Sequence, residues 1–253
     1  MLSLESIVFI SIAYLAVVVF TVGVLTVLLK WIFRRKGPSG TYLGLPYLFV
    51  YPGQDTRLKA FVNMLKRIFL FSSMKRDPKV RYSSLAFHWS LWIVIAAHSD
   101  LFLYSYFEAA GISQATLEMI GDYAGTFFAV VMVVFGIVLL YRRIGDKYLR
   151  HLNNASDYFA VLLIVAIGIT GILERFTLPG NYAYTAVSPF IMSLVSFAPI
   201  NIPTRLPFLI HFSTTLVLFF YLPFSKLMHP FSFFTNPTMY SLHHTGLKQG
   251  EAK

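Results

Sequence analysis

Long apolar runs, separated by shorter polar segments, dominate the amino-acid sequence. Several of these runs approach or exceed the roughly 20 residues with which an α-helix crosses the hydrocarbon core of a membrane. The pattern predicts an all-α polytopic membrane protein, in which five transmembrane helices form a single domain over the whole chain. The predicted spans are about 4–33, 84–107, 123–144, 157–174 and 207–228.

Two details refine the second half of the pattern. Ser156 and Asp157 precede the fourth apolar run, and Asp157 is predicted to cap that helix because its carboxylate accepts backbone N–H groups. A sixth apolar stretch, residues 183–197, contains Pro189 and is followed by Pro199. It is too short to span a membrane, so we predict an interfacial or re-entrant segment.

Composition supports the membrane assignment, because charged residues make up only 13% of the chain and soluble domains average about 25%. Lysine and arginine positions then give the orientation, since basic residues concentrate on the cytoplasmic side of a membrane. With the N-terminus outside and the C-terminus in the cytoplasm, 19 of the 21 basic residues lie inside. A cytoplasmic membrane face explains the net charge of +10 without nucleic-acid binding.

Residues 56–73 show a different pattern, in which apolar residues recur at helical spacing with lysines and arginines among them. A basic amphipathic helix of this kind lies in the plane of the membrane interface. The sequence therefore predicts a surface helix on the cytoplasmic side. Two roles stay open for it, which are adhesion to anionic lipid and docking of a soluble partner.

The chain contains no cysteine. Iron–sulfur clusters, thiolate metal sites and covalently attached c-type haem all depend on cysteine. Any haem in this chain is therefore predicted to be non-covalent, and any iron–sulfur cluster is predicted to belong to another subunit.

Four histidines lie in or at the ends of the second and fifth predicted spans, where an ionisable residue is costly and indicates a functional site. These two spans run in opposite directions. His88 and His229 are therefore expected to meet near the inside, and His98 and His211 towards the outside. Ten helical residues rise about 15 Å and eighteen about 27 Å, so the two pairs would lie about 20 Å apart.

A single membrane histidine often only forms a hydrogen bond with a neighbouring helix. Two histidines on each of two helices favour metal ligation instead, and paired neutral imidazoles suit a low-spin haem that transfers electrons. The pattern predicts two b-type haems. A transporter that uses the histidines for metal ions or protons remains an alternative.

The histidine spacings of 10 and 18 residues resemble those of the gamma subunit of respiratory nitrate reductase, a di-haem cytochrome b family. The run from Leu222 to His229 is similar to a Pro-Phe-Ser-basic-Leu-x-His run of that family. Membrane cytochromes of sulfite-reductase-associated and heterodisulfide-reductase complexes share the module. Smaller similarities are Arg142-Arg143 after the third span, Ser156-Asp157 before the fourth, and Ser188-Pro189 and Ser193-Leu194 before the fifth.

The resemblance implies a single cytochrome b domain, the quinol-oxidising subunit of a multi-subunit respiratory oxidoreductase. Menaquinol or another quinol would give electrons to an outer haem held by His98 and His211. They would pass to an inner haem held by His88 and His229, and then to a cytoplasmic iron–sulfur subunit. A terminal reductase subunit would carry the terminal-substrate site, so none is expected here.

The resemblance also suggests a quinone site near the outer haem, where the family uses a lysine after the second span. No lysine occurs between residues 99 and 141 of this chain. Asp100 and Tyr104 are the candidate quinone-site residues instead. An interfacial carboxylate exposed to water is the alternative for Asp100.

Arginines near the ends of the spans are candidate partners for haem propionates, because a guanidinium binds a carboxylate with two parallel hydrogen bonds. Arg81, Arg142 and Arg143 lie towards the inside, and Arg205 towards the outside. Topology anchoring is the alternative role. Gly168 and Gly171 in the fourth span are predicted to permit close approach of another helix or a macrocycle.

Overall fold

The computed structural model describes residues 1–33 and 57–231, and these residues form helices and no strands. The predicted all-α class is therefore confirmed. Short π- and 3₁₀-helical turns extend several helices. The α-helices are α1 (Leu4–Phe33), α2 (Arg57–Leu70), α3 (Pro78–Ala97), α4 (Asp100–Ala109), α5 (Gln114–Ile120), α6 (Thr126–Gly145), α7 (Lys147–Leu152), α8 (Ala155–Thr177), α9 (Ser188–Val195) and α10 (Leu206–Tyr221).

Within the described ranges, four continuous helical segments are long and apolar enough to cross a membrane. The bent pair α3 and α4 adds a fifth if it is counted as one broken span. A polytopic membrane protein is confirmed. The four continuous segments are Leu4–Trp31, Gln114–Gly145, Ala155–Thr177 and Leu206–Phe224.

The second span differs from the unbroken helix expected over 84–107. It begins earlier, at Pro78, and it bends by 61° between α3 and α4. His98 and Ser99 lie at this break. The Ser99 hydroxyl donates to the carbonyl oxygen of Ala96 at 2.6 Å, and the Ser99 N–H donates to the same oxygen at 3.0 Å. Such local hydrogen bonds compete with the regular helical pattern and favour a bend.

The predicted cap of the fourth span was wrong. Asn154 is the N-cap of α8, and Asp157 lies three residues into the helix. The Asn154 side chain accepts from the Asp157 N–H at 3.2 Å, while the Asp157 carboxylate accepts from the Asn154 N–H at 3.0 Å. Asp157 is thus the reciprocal partner in a capping box.

The chain divides into two compact units. The first comprises Met1–Val19 and Tyr82–Tyr221, and α8 packs there against both α6 and α10. Glycine permits the close approach of α6 and α8, because a Cβ on Gly168 would lie 2.6 Å from the Met132 side chain. The predicted re-entrant segment is a π-helical turn followed by α9, and it packs on α10 through Phe190, which is fully buried.

The second unit contains the rest of α1, helix α2, the start of α3 and the residues after Tyr221. Its amphipathic helix, expected over 56–73, is found as α2 at Arg57–Leu70. Met64 is its fully buried residue, with Leu65 and Ile68 packed against it. Residues 34–56, which precede α2 in the chain, lie outside the described residues.

Candidate functional site

The imidazole rings of His98 and His211 lie side by side in the first unit. Their centroids are 6.2 Å apart and their planes differ by 27°. His98 follows the last residue of α3 and is exposed, whereas His211 lies in α10 and is half-buried. The fold therefore brings together two imidazole rings from residues that are 113 positions apart in the chain.

This spacing fits a metal atom shared by both imidazoles. A bond from a metal to a histidine nitrogen is about 2.0 Å long, and the ring adds about 1.1 Å on each side, so the centroids of two opposed ligands lie about 6 Å apart. The spacing of His98 and His211 therefore suits a haem that the two imidazoles would hold between them.

Three of the four candidate ligands share one hydrogen-bond arrangement. In each, Nδ1 lies within 3 Å of a carbonyl oxygen three or four residues earlier in the chain, and because a carbonyl only accepts, Nδ1 carries the proton. The lone pair of the neutral ring is then on Nε2, which is the arrangement that metal-binding histidines use. The pairs are His88 with Ser84 (2.8 Å), His98 with Val94 (2.7 Å) and His229 with Lys226 (2.9 Å).

His211 reaches the same tautomer through a side chain. Its Nδ1 lies 3.1 Å from the Thr170 hydroxyl, and this hydroxyl donates its own hydrogen to the carbonyl oxygen of Ile167 at 3.0 Å. The Thr170 oxygen is therefore the acceptor for His211. Gly171 makes room beside it, because an added Cβ would lie 3.0 Å from Cε1 of the ring.

The helix break after His98 is anchored by the re-entrant segment. The Tyr184 hydroxyl donates to the carboxylate of Asp100 at 2.8 Å, and the Ser188 hydroxyl donates to the carbonyl oxygen of Leu101 at 2.7 Å. Tyr184 and Ser188 are both buried. Burial, followed by the hydrogen bond to Asp100, raises the pKa of Tyr184, so its hydroxyl remains a donor across the physiological range.

The two candidate quinone-site residues both lie next to Tyr184. Asp100 accepts its hydrogen bond, and the ring centroid of Tyr104 lies 5.2 Å from that of Tyr184. The Tyr104 hydroxyl donates to the side-chain oxygen of Gln114 at 3.2 Å. Asp100 and Tyr104, which follow His98 in the chain, are therefore held in one connected arrangement with Tyr184 and Gln114.

Sequence reasoning missed Thr170 and Tyr184. Both are far along the chain from the residues they hold, and both occur in apolar stretches where a hydroxyl gives no periodic signal. Gly171, which is predicted to permit close approach, lies beside the ring of His211. The sequence signal that could have identified Thr170 is the grouping of small and hydroxyl-bearing residues on one turn of the fourth span.

The four candidate propionate arginines differ in their hydrogen bonds and in their exposure. Arg143 donates to a main-chain carbonyl at the start of α8 at 3.3 Å, and Arg81 donates to the last carbonyl of α2 at 3.0 Å. Arg142 and Arg205 are exposed. A propionate role for these four arginines stays a prediction.

His88 belongs to the first compact unit and His229 to the second. Among the residues that the structure describes, no group of three or more histidine, cysteine or acidic side chains is placed to hold a metal ion. A b-type haem would need only two histidines from the protein.

Comparison with known proteins identifies a family and three relatives. The family described as nitrate reductase gamma subunit matches residues 70–245. The chain is 28% identical to a protein of Archaeoglobus fulgidus called Hdr-like menaquinol oxidoreductase cytochrome b-like subunit, covering 89% of this chain and 76% of that protein. A protein of the same name in Archaeoglobus profundus is 22% identical, covering 91% and 77%. The nitrate reductase gamma chain of Bacillus subtilis is 27% identical, covering 64% and 76%.

Proposed function

The chain belongs to the nitrate reductase gamma subunit family, and on that premise we propose that it is a di-haem cytochrome b that oxidises quinol for a multi-subunit oxidoreductase. The observation that carries the proposal is the facing pair His98 and His211, with a ring spacing that suits axial ligands. When bound between them, haem supplies one-electron transfer with no open coordination position.

The residues around the outer pair have distinct tasks in this proposal. Thr170 fixes the tautomer and orientation of His211, and Gly171 leaves space for its ring. Tyr184 holds the segment that follows His98 by its hydrogen bond to Asp100. Such supporting contacts orient metal ligands and raise their basicity.

The inner haem is assigned to His88 and His229 by the sequence pattern and the family resemblance. Arg81, Arg142 and Arg143 are proposed as cationic partners for its propionates, and Arg205 for those of the outer haem. These assignments rest on positions in the sequence, because guanidinium groups near the ends of spans suit carboxylates at the membrane interface.

Quinol oxidation is proposed near Asp100 and Tyr104, on the outer side. A quinol releases two electrons and two protons, and polar groups close to His98 offer hydrogen-bond partners for its hydroxyls. His98 with His211 and His88 with His229 would hold two haems, which would supply one-electron carriers between this site and an iron–sulfur subunit in the cytoplasm. A terminal reductase subunit would be the final acceptor.

The identity of the complex has two candidates. The names of the two Archaeoglobus relatives favour a menaquinol oxidoreductase of the Hdr-like kind, with menaquinone as the quinone. The Bacillus relative favours a nitrate reductase. Subunits that co-purify with the chain from its native membrane distinguish the two, because the soluble partners differ.

The proposed orientation has its own test. With 19 of 21 basic residues on one side, the N-terminus is outside and the C-terminus is in the cytoplasm. A reporter enzyme that is active only in the cytoplasm, fused after Lys253, should be active. Activity of a periplasmic or extracellular reporter at that position would reverse the proposed direction of electron flow.

Electron transfer is tested by stopped-flow reduction with a quinol analogue. In His229→Ala, quinol should still reduce the outer haem at the wild-type rate, while transfer to the soluble partner stops. In His98→Ala, the remaining inner haem should be reduced slowly. Equal and fast reduction in both variants would place quinol oxidation away from His98.

A further inference from the structure

A polar cavity of about 210 Å³ lies at the C-terminal end of α2, within the second unit. The first unit's histidine site shares none of its residues. The lining residues that the structure describes are all polar or cationic, and none is acidic. They are Asn63, Arg67, Ser72, Ser73 and Lys75.

The local backbone explains how these residues come together. Asn63 and Arg67 are four residues apart and therefore lie on one face of α2. After Leu70 the chain reverses through Phe71, which adopts a left-handed conformation with φ of 47°. A 3₁₀-helical turn, Ser72–Met74, follows and is closed by a 3.0 Å hydrogen bond from the Met74 N–H to the Phe71 carbonyl. This turn brings the serines and Lys75 back towards the face of α2.

The donor set indicates an oxyanion. A guanidinium and an ammonium supply positive charge, and the two hydroxyls and one amide donate further hydrogen bonds. Arginine binds phosphate with two parallel hydrogen bonds and lysine binds it as a point charge. A phosphate group with one or more negative charges satisfies this cavity better than a neutral polar molecule does.

The surface of the same helix indicates what the phosphate is attached to. Several large apolar side chains of α2 are exposed to the outside of the protein, including Leu58 at 71% and Leu70 at 50%. An amphipathic helix of this kind inserts its apolar face among acyl chains and keeps its basic face at the headgroups. A ligand with both a phosphate and acyl chains therefore matches both surfaces.

We propose that the cavity formed by Asn63, Arg67, Ser72, Ser73 and Lys75 binds the phosphate of an acidic phospholipid. The lipid would hold α2 at the membrane interface through one defined headgroup position, in addition to the diffuse attraction of basic residues for anionic membranes. This proposal is independent of haem binding and of quinol oxidation.

The experiment compares two variants with the same net charge. Arg67→Gln with Lys75→Gln removes both cavity cations, whereas Lys66→Gln with Arg76→Gln removes two exposed cations that do not line the cavity. Full-length protein, purified in detergent, is titrated with phosphatidylglycerol or phosphatidylcholine, and bound lipid is counted by native mass spectrometry. Far-UV circular dichroism checks that both variants keep their helical content.

The wild-type protein should bind one phosphatidylglycerol at least about tenfold more tightly than phosphatidylcholine. The cavity variant should lose this preference, and the charge-matched variant should keep it within about twofold. Lys75→Gln alone, at an exposed position, should give an intermediate affinity even if the double variant folds poorly.

Two outcomes would overturn the proposal. Equal losses in the cavity variant and the charge-matched variant would mean that surface charge attracts the lipid without a defined site. Displacement of phosphatidylglycerol by inorganic phosphate at equal concentration would assign the cavity to a soluble anion.

Discussion

The two histidines of the outer pair are held by different parts of the molecule and by different means. His211 lies inside the continuous helix α10, where Thr170 accepts its hydrogen bond and Gly171 leaves room for its ring. His98 is exposed and lies at a helix break, and its Nδ1 donates to the carbonyl of Val94, one turn earlier in its own helix.

Helix packing positions His211, whereas hydrogen bonds to the residues that follow the break position His98. The position of His211 follows from the close approach of α8 and α10, which small residues permit. The position of His98 depends on where the break directs the chain, and that direction is held by hydrogen bonds from Tyr184 and Ser188 to residues just after it. Substitutions on the α8 side should therefore affect ligation more severely than loss of a single anchor.

The largest effect is expected from Gly171→Val. Its Cβ would lie 3.0 Å from the ring of His211, and the two added methyl groups would displace that ring. The chain should lose its outer haem and keep its inner haem, so that total haem content falls by about half. Overpacking costs on the order of 1–3 kcal/mol of stability and misplaces the His211 ligand. Gly125→Val is the matched control, since nothing lies within 4 Å of a Cβ there. Equal haem content in the two variants would contradict the packing role.

A smaller effect is expected from Thr170→Val, which keeps the side-chain shape and removes the acceptor for His211. Loss of such a supporting contact lowers metal affinity by about 10- to 100-fold, so the outer haem should dissociate more readily on dilution. Thr177→Val removes a hydroxyl from the same helix, where it donates to the Leu173 carbonyl, and should leave haem affinity unchanged. Haem transfer to apomyoglobin measures both.

The smallest effect is expected from Tyr184→Phe, which removes the hydrogen bond to Asp100 and keeps the ring. The cost is about 1 kcal/mol, since Ser188 still holds the segment. Both haems should remain, and the outer haem should shift in midpoint potential and in its low-spin electron paramagnetic resonance signal. Tyr14→Phe, which removes a hydroxyl that donates to Leu194, is the control. A shift of equal size in Tyr14→Phe would argue against a specific anchor at the break.

Backbone hydrogen exchange sharpens the same comparison without requiring haem. In Tyr184→Phe, amides at residues 98–103 should exchange faster than in the wild-type protein, because one anchor of the break is lost. Amides of α8 should exchange at unchanged rates. Uniform acceleration in both regions would show that Tyr184 stabilises the whole unit and not the break in particular.

The sequence predicted the long membrane helices because hydrocarbon thickness imposes their length, whatever their neighbours are. It did not predict the 61° bend, since a serine hydroxyl and two distant anchors set it. Asp157 was wrongly predicted to be the cap because the apolar run begins after it, whereas the helix itself begins at Ala155, directly after Asn154. Paired spacing of the histidines was readable from the chain, whereas the residues that orient them come from other helices.

Haem content of the purified chain, wild type and His98→Ala, tests the central claim most directly. A pyridine haemochrome assay normalised to protein should give two b-type haems per wild-type chain. His98→Ala should leave one low-spin haem, because His211 then lacks its opposing ligand. A wild-type chain with one haem or none, or a His98→Ala variant that still carries two low-spin haems, would contradict the account.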